Sequence, residues 1–95
     1  MTKADIINDV SKQTGFTKVE VEIMLDSVIN SIKTSLANGE RVDMRGFGSF
    51  LVKRREARNT RNPATNEIFK LDARYIPSFK VSKILKEYVN ENLIN

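Results

Sequence analysis

The sequence of 95 residues contains no cysteine, no histidine and no tryptophan. Without cysteine there is no disulfide, no thiolate nucleophile and no Cys-type zinc site, and without histidine the commonest proton shuttle and metal ligand are missing. Only carboxylates could then hold a catalytic metal ion, and Asp5, Asp9, Glu20, Glu22 and Asp26 suggest no convergent cluster. We therefore predict a protein that is not an enzyme and that uses no metal, cofactor or small-molecule substrate.

Long apolar runs are absent as well. No segment approaches the roughly 18 apolar residues that span a bilayer, and the N-terminal MTKADIIND lacks the apolar core of a signal peptide. A membrane-surface helix would need a cationic face, whereas residues 1–40 carry four lysines against six acidic residues. We expect one small domain over residues 1–95, located in the cytoplasm and without a membrane partner.

The net charge of +4 is concentrated in one segment. Residues 53–74 contain seven Lys and Arg and three acidic residues, which gives +4, and the remaining nine basic and nine acidic residues cancel. A run of charge is ordinarily a solvated face, but a basic cluster of this density also suits an anionic partner such as nucleic acid.

The N-terminal 40 residues predict two helices. Thr2 with Asp5 forms an approximate capping box for a helix to about Thr14, which Gly15 would end. Thr17 with Glu20 forms a second box, and it precedes a helix of about 20 residues that stops at Asn38-Gly39. Apolar residues recur along this second helix every three or four positions, so we expect that face to pack in a core.

The hydrophobic period then changes to two. Residues 41–45 alternate, Gly46-Phe47-Gly48 interrupts them and residues 49–55 follow as a second strand, which predicts a hairpin whose glycines serve positive φ angles and close backbone approach. Residues 56–71 have few apolar side chains around the turn cluster at 62–66, so we predict a protruding basic β-ribbon, the arm, over about 54–75. A strand at 75–81 and a helix over 82–95, capped by Ser82, complete an α+β chain.

Without the arm, about 70 residues would have to supply the core, a size at which oligomerisation is a common remedy. The sequence nevertheless contains more apolar side chains than so small a monomer can bury. We predict an obligate two-fold dimer, with residues 1–40 as its helical part and a core that includes Val28, Ile29, Ile32, Phe47, Phe50 and Phe79.

Three segments, GERVDMRGFGSF, RNPAT and PSFKVSKILK, resemble the HU and integration host factor family of bacterial DNA-bending proteins. The resemblance covers nearly the whole chain. It implies an intertwined dimer with a helical base, a three-stranded antiparallel sheet and two β-arms that reach around double-stranded DNA in the minor groove. It also implies a histone-like protein of the nucleoid that condenses and bends DNA with low sequence specificity.

The resemblance implies a set of DNA contacts. Pro63 would be the wedge that intercalates at the arm tip, although a simple turn proline is the alternative. Body lysines would meet phosphates of the bent flanks, and arm arginines would follow the groove. The expected contacts are Lys3, Arg45, Lys53, Arg54, Arg55, Arg58, Arg61, Asn62, Pro63, Thr65, Lys70, Arg74, Lys80, Lys83 and Lys86.

Two alternatives stay open on the sequence. Asp43 with Arg45 is similar to the beta subunit of integration host factor, which favours a heterodimer with sequence preference; a cross-strand ion pair is the other explanation of Arg45. An RNA-binding module is the second alternative, but the arm has only Phe69 and, at its edge, Tyr75 for base stacking. The sequence departs from the family at Thr60, Asn66 and Val81-Ser82.

Overall fold

The computed structural model describes residues 1–94 and has the predicted α+β order of elements. The elements are α1 (Lys3–Thr14), α2 (Lys18–Ala37), β1 (Val42–Met44), β2 (Gly48–Arg55), β3 (Arg58–Arg61), β4 (Ile68–Leu71), β5 (Arg74–Val81) and α3 (Lys83–Ile94). The chain divides into two compact units, Met1–Ser35 and a second unit from Leu36 onward. Of the helices within residues 1–94, none is long and apolar enough to cross a membrane.

Both predicted capping boxes are present in the first unit. The Thr2 Oγ1 accepts from the Asp5 amide at 3.3 Å, and an Asp5 carboxylate oxygen accepts from the Thr2 amide at 2.8 Å. Thr17 and Glu20 repeat the pattern, with 3.1 Å from the Glu20 amide to the Thr17 hydroxyl. Each box satisfies amides that the first turn of a helix leaves without a partner, so these short sequence motifs determine where α1 and α2 begin.

The apolar faces of α1 and α2 remain largely uncovered in the single chain. Ile7 and Val21 are the buried apolar side chains of residues 1–94. Around them lies an open apolar groove lined by Ile6, Val10, Thr14, Phe16, Val21, Met24, Leu25 and Val28. Val28 and Ile29 are 49% and 42% exposed although they belong to the predicted core stripe. The first unit therefore carries an apolar face that its own residues leave largely exposed.

The second unit contains a three-stranded antiparallel sheet in the order β1-β2-β5. Gly46 turns the β1–β2 hairpin with φ 82°, and Gly48 is needed for close approach: a Cβ there would lie 2.4 Å from the Phe79 ring and 2.6 Å from the Lys80 carbonyl oxygen. The two roles predicted for these glycines are thus confirmed. Phe79 packs against Phe47 and Phe50, with ring centroids 5.4 and 4.9 Å apart, yet remains 42% exposed.

The start of α3 is fixed by Ser82, as predicted. Its Oγ accepts from the Leu85 amide at 3.0 Å, and its amide donates to the Phe47 carbonyl at 2.9 Å. The second bond ties the first turn of α3 to the β1–β2 hairpin. Ser82 therefore serves as the N-cap of α3.

Candidate nucleic-acid interface

One face of the three-stranded sheet, called the polar face here, carries most of the sheet's polar and basic side chains, together with Leu51 and Ile76. Residues that pair directly across antiparallel strands share a face, and the face alternates at each residue. In the first row of this face, Ser49 of β2 lies between Asp43 of β1 and Lys80 of β5. Further along β2 on the same face, Leu51 is paired with Ser78 and Arg55 with Arg74. Lys53 lies on the same face, opposite Ile76.

The opposite face is apolar. It contains Val42, Phe50 and Phe79 in one row and Val52 with Pro77 in another. Arg54, opposite Tyr75, lies on this second face, and its Nε is 3.1 Å from a Glu56 carboxylate oxygen. The consecutive residues Arg54 and Arg55 thus point to different sides of β2, so the structure separates two arginines that the sequence places together.

Asp43 is held by two neighbours on the polar face. The Ser49 hydroxyl donates to its Oδ1 at 2.5 Å, and the Arg41 Nε donates to the same oxygen at 2.7 Å. The hydrogen bond from Ser49, followed by that from Arg41, holds the pKa of Asp43 below its ordinary value. The Arg41 Nη2 also reaches the Ser49 hydroxyl at 3.2 Å, which closes a three-residue network.

This network changes the explanation of Arg45. The cross-strand ion pair considered for Arg45 is not formed within residues 1–94, and Asp43 pairs with Arg41. Within residues 1–94 the Arg45 guanidinium has no hydrogen bond or ion pair, and the side chain is exposed beside the hairpin turn. Its charge is therefore available to a partner outside this chain.

The predicted arm is a separate two-stranded ribbon. Strand β3 pairs with β4 from Arg58 opposite Leu71 to Arg61 opposite Ile68, whereas the main sheet ends at Arg55 opposite Arg74. No strand pairing joins the two sheets across 56–57 and 72–73. The arm is thus linked to the body by two short stretches of chain without ladder hydrogen bonds.

The cations of the ribbon lie on both of its faces. Arg58 and Thr60 share one face with Phe69 and Leu71, which are their direct partners. The other face carries Asn59, Arg61, Ile68 and Lys70. Because side chains alternate along a strand, Arg58 and Arg61 leave the ribbon on opposite faces.

The tip of the arm is a tight turn over residues 62–67. Pro63 is exposed at its start, and Asn66 has φ 62°, the left-handed conformation that asparagine tolerates better than most residues. The Thr65 hydroxyl accepts from the Glu67 amide at 3.4 Å. The tip therefore exposes the Pro63 ring, which has no N–H group, on a turn in which neighbouring polar side chains form hydrogen bonds.

Some predicted contacts already have an acidic neighbour. The Lys3 Nζ is 2.6 Å from an Asp26 carboxylate oxygen, and this hydrogen bond raises the pKa of Lys3. The Lys83 Nζ is 3.9 Å from Glu87 one turn later in α3. By contrast, across residues 1–94 no ion pair involves Lys53, Arg55, Arg58, Arg61, Lys70, Arg74, Lys80 or Lys86.

Arg41 is the polar-face cation that the sequence analysis missed. Its alternation with Asp43 and Arg45 was visible in the sequence, but Asp43 has a possible cationic neighbour on either side. The cross-strand position of Ser49 decides between them, and that position depends on the register of the hairpin. No local signal in the sequence carries this information.

The family model of bacterial DNA-binding proteins matches residues 1–90 of this chain. The chain belongs to this family. It is 42% identical over 94 residues to the integration host factor subunit beta of Marinobacter nauticus, a match that covers 98% of this chain and 96% of that relative. It is 45% identical over 89 residues to the DNA-binding protein HU of Staphylococcus aureus, covering 94% of this chain and 99% of the relative.

A solved structure agrees with these relatives. The Anabaena HU–DNA cocrystal structure matches with a TM-score of 0.87 and 32% identity, covering 94% of this chain and 97% of that chain. The resemblance inferred from the hairpin, RNPAT and PSFKVSKILK segments is thereby confirmed. The family member described here is similar both to HU proteins and to an integration host factor subunit.

Proposed function

We propose that this protein is a non-enzymatic architectural component of the bacterial nucleoid, which binds double-stranded DNA and bends it with little sequence preference. The arm carries the proposal: a separate basic ribbon that has few apolar residues and ends in an exposed proline. A ribbon of this kind suits a groove of DNA far better than a protein core. Similarity to HU proteins along nearly the whole chain supports the same function.

Pro63 is proposed as the intercalating wedge. Its ring is rigid and apolar, and because it has no N–H, insertion between base pairs leaves no donor without a partner. Wedges of this type, for which HU and integration host factor are themselves known examples, kink DNA by roughly 20 to 90° at a cost of a few kcal/mol of unstacking. Contacts between basic side chains and the wrapped phosphates offset that cost.

The remaining contacts are proposed on two surfaces. The polar face of the sheet offers Lys53, Arg55, Arg74 and Lys80 to the DNA backbone, and the ribbon adds Arg58, Arg61 and Lys70. Guanidinium groups suit phosphates and the narrow, negative minor groove alike. Lys3 and Lys83 would exchange their acidic neighbours for phosphates, and Lys86 in α3 would extend the contact along the flanks.

A dimer is proposed for the binding unit. Each chain leaves apolar faces uncovered, both on α1 and α2 and around Phe47, Phe50 and Phe79. A second copy presents the same apolar faces, so two copies can cover each other, and closed two-fold dimers are the commonest arrangement. Two arms would then act on one duplex. The exposed Arg45 and the similarity to an integration host factor subunit favour one specific alternative, a heterodimer with sequence preference.

The proposed function can be tested with the purified protein alone. Its affinity would be measured for three duplexes of equal length, intact, nicked and pre-bent, at several salt concentrations. Tighter binding to the nicked and pre-bent duplexes is expected, because these DNAs no longer require the deformation energy. Weak binding to all three would contradict the homodimer and point to a missing subunit or to RNA.

The wedge has its own test. Pro63→Ala should reduce the bend of an intact duplex, measured by energy transfer between its ends, while the protein remains a dimer by sedimentation. A bend equal to that of the wild type would remove Pro63 from the mechanism.

A further inference from the structure

Asn62 precedes the proposed wedge and takes part in three hydrogen bonds within the tip. Its amide donates to the Glu67 carbonyl at 2.8 Å, and its carbonyl accepts from the Asn66 amide at 2.8 Å. Its side-chain Oδ1 accepts from the Ala64 amide at 2.9 Å. Hydrogen bonds from Asn62 therefore reach three of the four residues that follow Pro63 in the turn.

The side-chain bond has a particular geometry. An asparagine oxygen that accepts from the amide two residues later forms an Asx turn, in which the side chain mimics a backbone turn. Pro63 is the residue enclosed by this ring. The fixed φ of proline determines one side of the loop, and the bond from Ala64 to Asn62 restrains the ψ of Pro63 on the other.

Burial distinguishes Asn62 from its neighbours. It is half-buried, whereas Arg61 and every residue from Pro63 to Lys70 are exposed. A side chain whose only task was to meet DNA would be expected to project from the tip as those neighbours do. The Asn62 oxygen instead faces back into the turn, where it reaches the Ala64 amide.

We propose that Asn62 is a positioning residue: its side-chain oxygen holds the turn in the conformation that presents the Pro63 ring to DNA before binding. The inference rests on the proposed function, since it assumes that Pro63 is the wedge. It assigns to Asn62 a task in the free protein, which is different from a direct contact with DNA.

The physical reason lies in the cost of ordering the tip. A flexible tip must lose conformational freedom when the ring enters the base stack, and a tip fixed in advance has already lost it. One ordinary hydrogen bond corresponds to about a two- to tenfold change in an equilibrium constant. The effect should concern intact duplexes most, because there the wedge itself must open the base step.

Three substitutions of Asn62 separate positioning from direct contact. Asn62→Ala removes the oxygen and the amide group. Asn62→Ser keeps a shorter oxygen that can still accept from the Ala64 amide. Asn62→Gln keeps the whole amide for a DNA contact but adds a methylene, which moves the oxygen away from the Asx-turn geometry. Pro63→Ala is measured beside them as the reference for loss of the wedge.

The variants are compared by two measurements. The first is hydrogen exchange of the Ala64 amide in the free protein, followed by NMR. The second is the affinity for, and the bend of, an intact and a nicked duplex. We expect Asn62→Ala and Asn62→Gln to speed exchange and to weaken binding to the intact duplex about two- to tenfold. Binding to the nicked duplex should change less, and Asn62→Ser should recover part of both losses.

Three other outcomes would contradict the positioning role of Asn62. If Asn62→Gln behaves as the wild type and Asn62→Ser as Asn62→Ala, the amide contacts DNA directly and positioning is wrong. If all three variants match the wild type while Pro63→Ala loses the bend, the positioning role falls and the wedge stands. If Pro63→Ala also bends DNA as the wild type does, the wedge itself is wrong and the inference falls with it.

Discussion

Lys3, at the start of α1, forms an ion pair of 2.6 Å with Asp26 in the middle of α2. Both side chains are about half exposed, so water and salt weaken the pair, and DNA phosphate can compete with the carboxylate. Lys3 is thus a proposed phosphate contact that must first leave an acidic neighbour of its own chain.

Replacing that neighbour should strengthen DNA binding. Asp26→Asn removes the competing carboxylate, so we expect a few-fold higher affinity for a long duplex at low salt, and a smaller gain at high salt. Lys3→Ala should lower the affinity, whereas Lys12→Ala, on the same helix, serves as the control and should have little effect. Weaker binding by Asp26→Asn would show that the pair supports the DNA-binding form.

The alternation along β2 predicts different roles for two consecutive arginines. Arg55 shares the polar face with Lys53 and Lys80, while Arg54 lies on the other face beside Glu56. Arg55→Ala should therefore reduce the slope of log affinity against log salt by about 1 to 2, since a dimer loses two phosphate contacts. Arg54→Ala is the matched control with a smaller change. Equal slopes for the two variants would contradict the assignment of faces.

The uncovered face of α2 predicts that stability depends on a second copy. Ile29 is 42% exposed in one chain, and we expect a partner to bury it, so Ile29→Ala should cost about 2 to 5 kcal/mol. Val19, which lies outside the apolar stripe of α2 and is 68% exposed, is the control: Val19→Ala should change stability by less than about 0.5 kcal/mol.

Thermal unfolding at several protein concentrations would measure both effects. The wild-type Tm should rise with concentration if folding and dimerisation are linked. A Tm that does not depend on concentration, with similar costs for the two alanine variants, would argue for a stable monomer.

The Ser49 hydroxyl predicts a titration shift. Ser49→Ala should raise the pKa of Asp43 towards its ordinary value, because the largest cause of the lowered pKa is removed. In the wild type the folded-state pKa lies below the unfolded one. This stabilisation is therefore present above the unfolded pKa, near pH 4, and is lost as the pH falls through the lowered folded pKa. Carboxyl NMR would follow Asp43, with Ser78→Ala as the control; an unchanged midpoint would exclude the hydrogen bond as the cause.

The features predicted correctly from the sequence are those that depend on neighbours in the chain. The two capping boxes and the Ser82 cap each involve residues within a few positions, so their chemistry is visible in the sequence. The glycine roles at Gly46 and Gly48 followed from the hairpin pattern. Local propensity and tertiary structure agree at these points.

The features that were missed depend on register. A period of two places Arg41, Asp43 and Arg45 on one side of the hairpin, but it cannot decide which arginine Asp43 will bind. Ser49 decides it from the neighbouring strand. The division of Arg58 and Arg61 between the two faces of the ribbon likewise needs the pairing of β3 with β4. The sequence is enough to identify the basic segment, but the face on which each basic side chain lies depends on how the strands pair.

The break between the two sheets also bears on how this architecture can vary. The body sheet ends at Arg55 opposite Arg74, so the ribbon is inserted between two paired positions. Doubling the length of such an excursion costs only about 0.6 kcal/mol of closure entropy. Each residue pair that is added or removed changes the reach by about 3.3 Å. Lineages could therefore lengthen, shorten or exchange the arm, and so retune how far it extends along a groove, while the body that supports it stays the same.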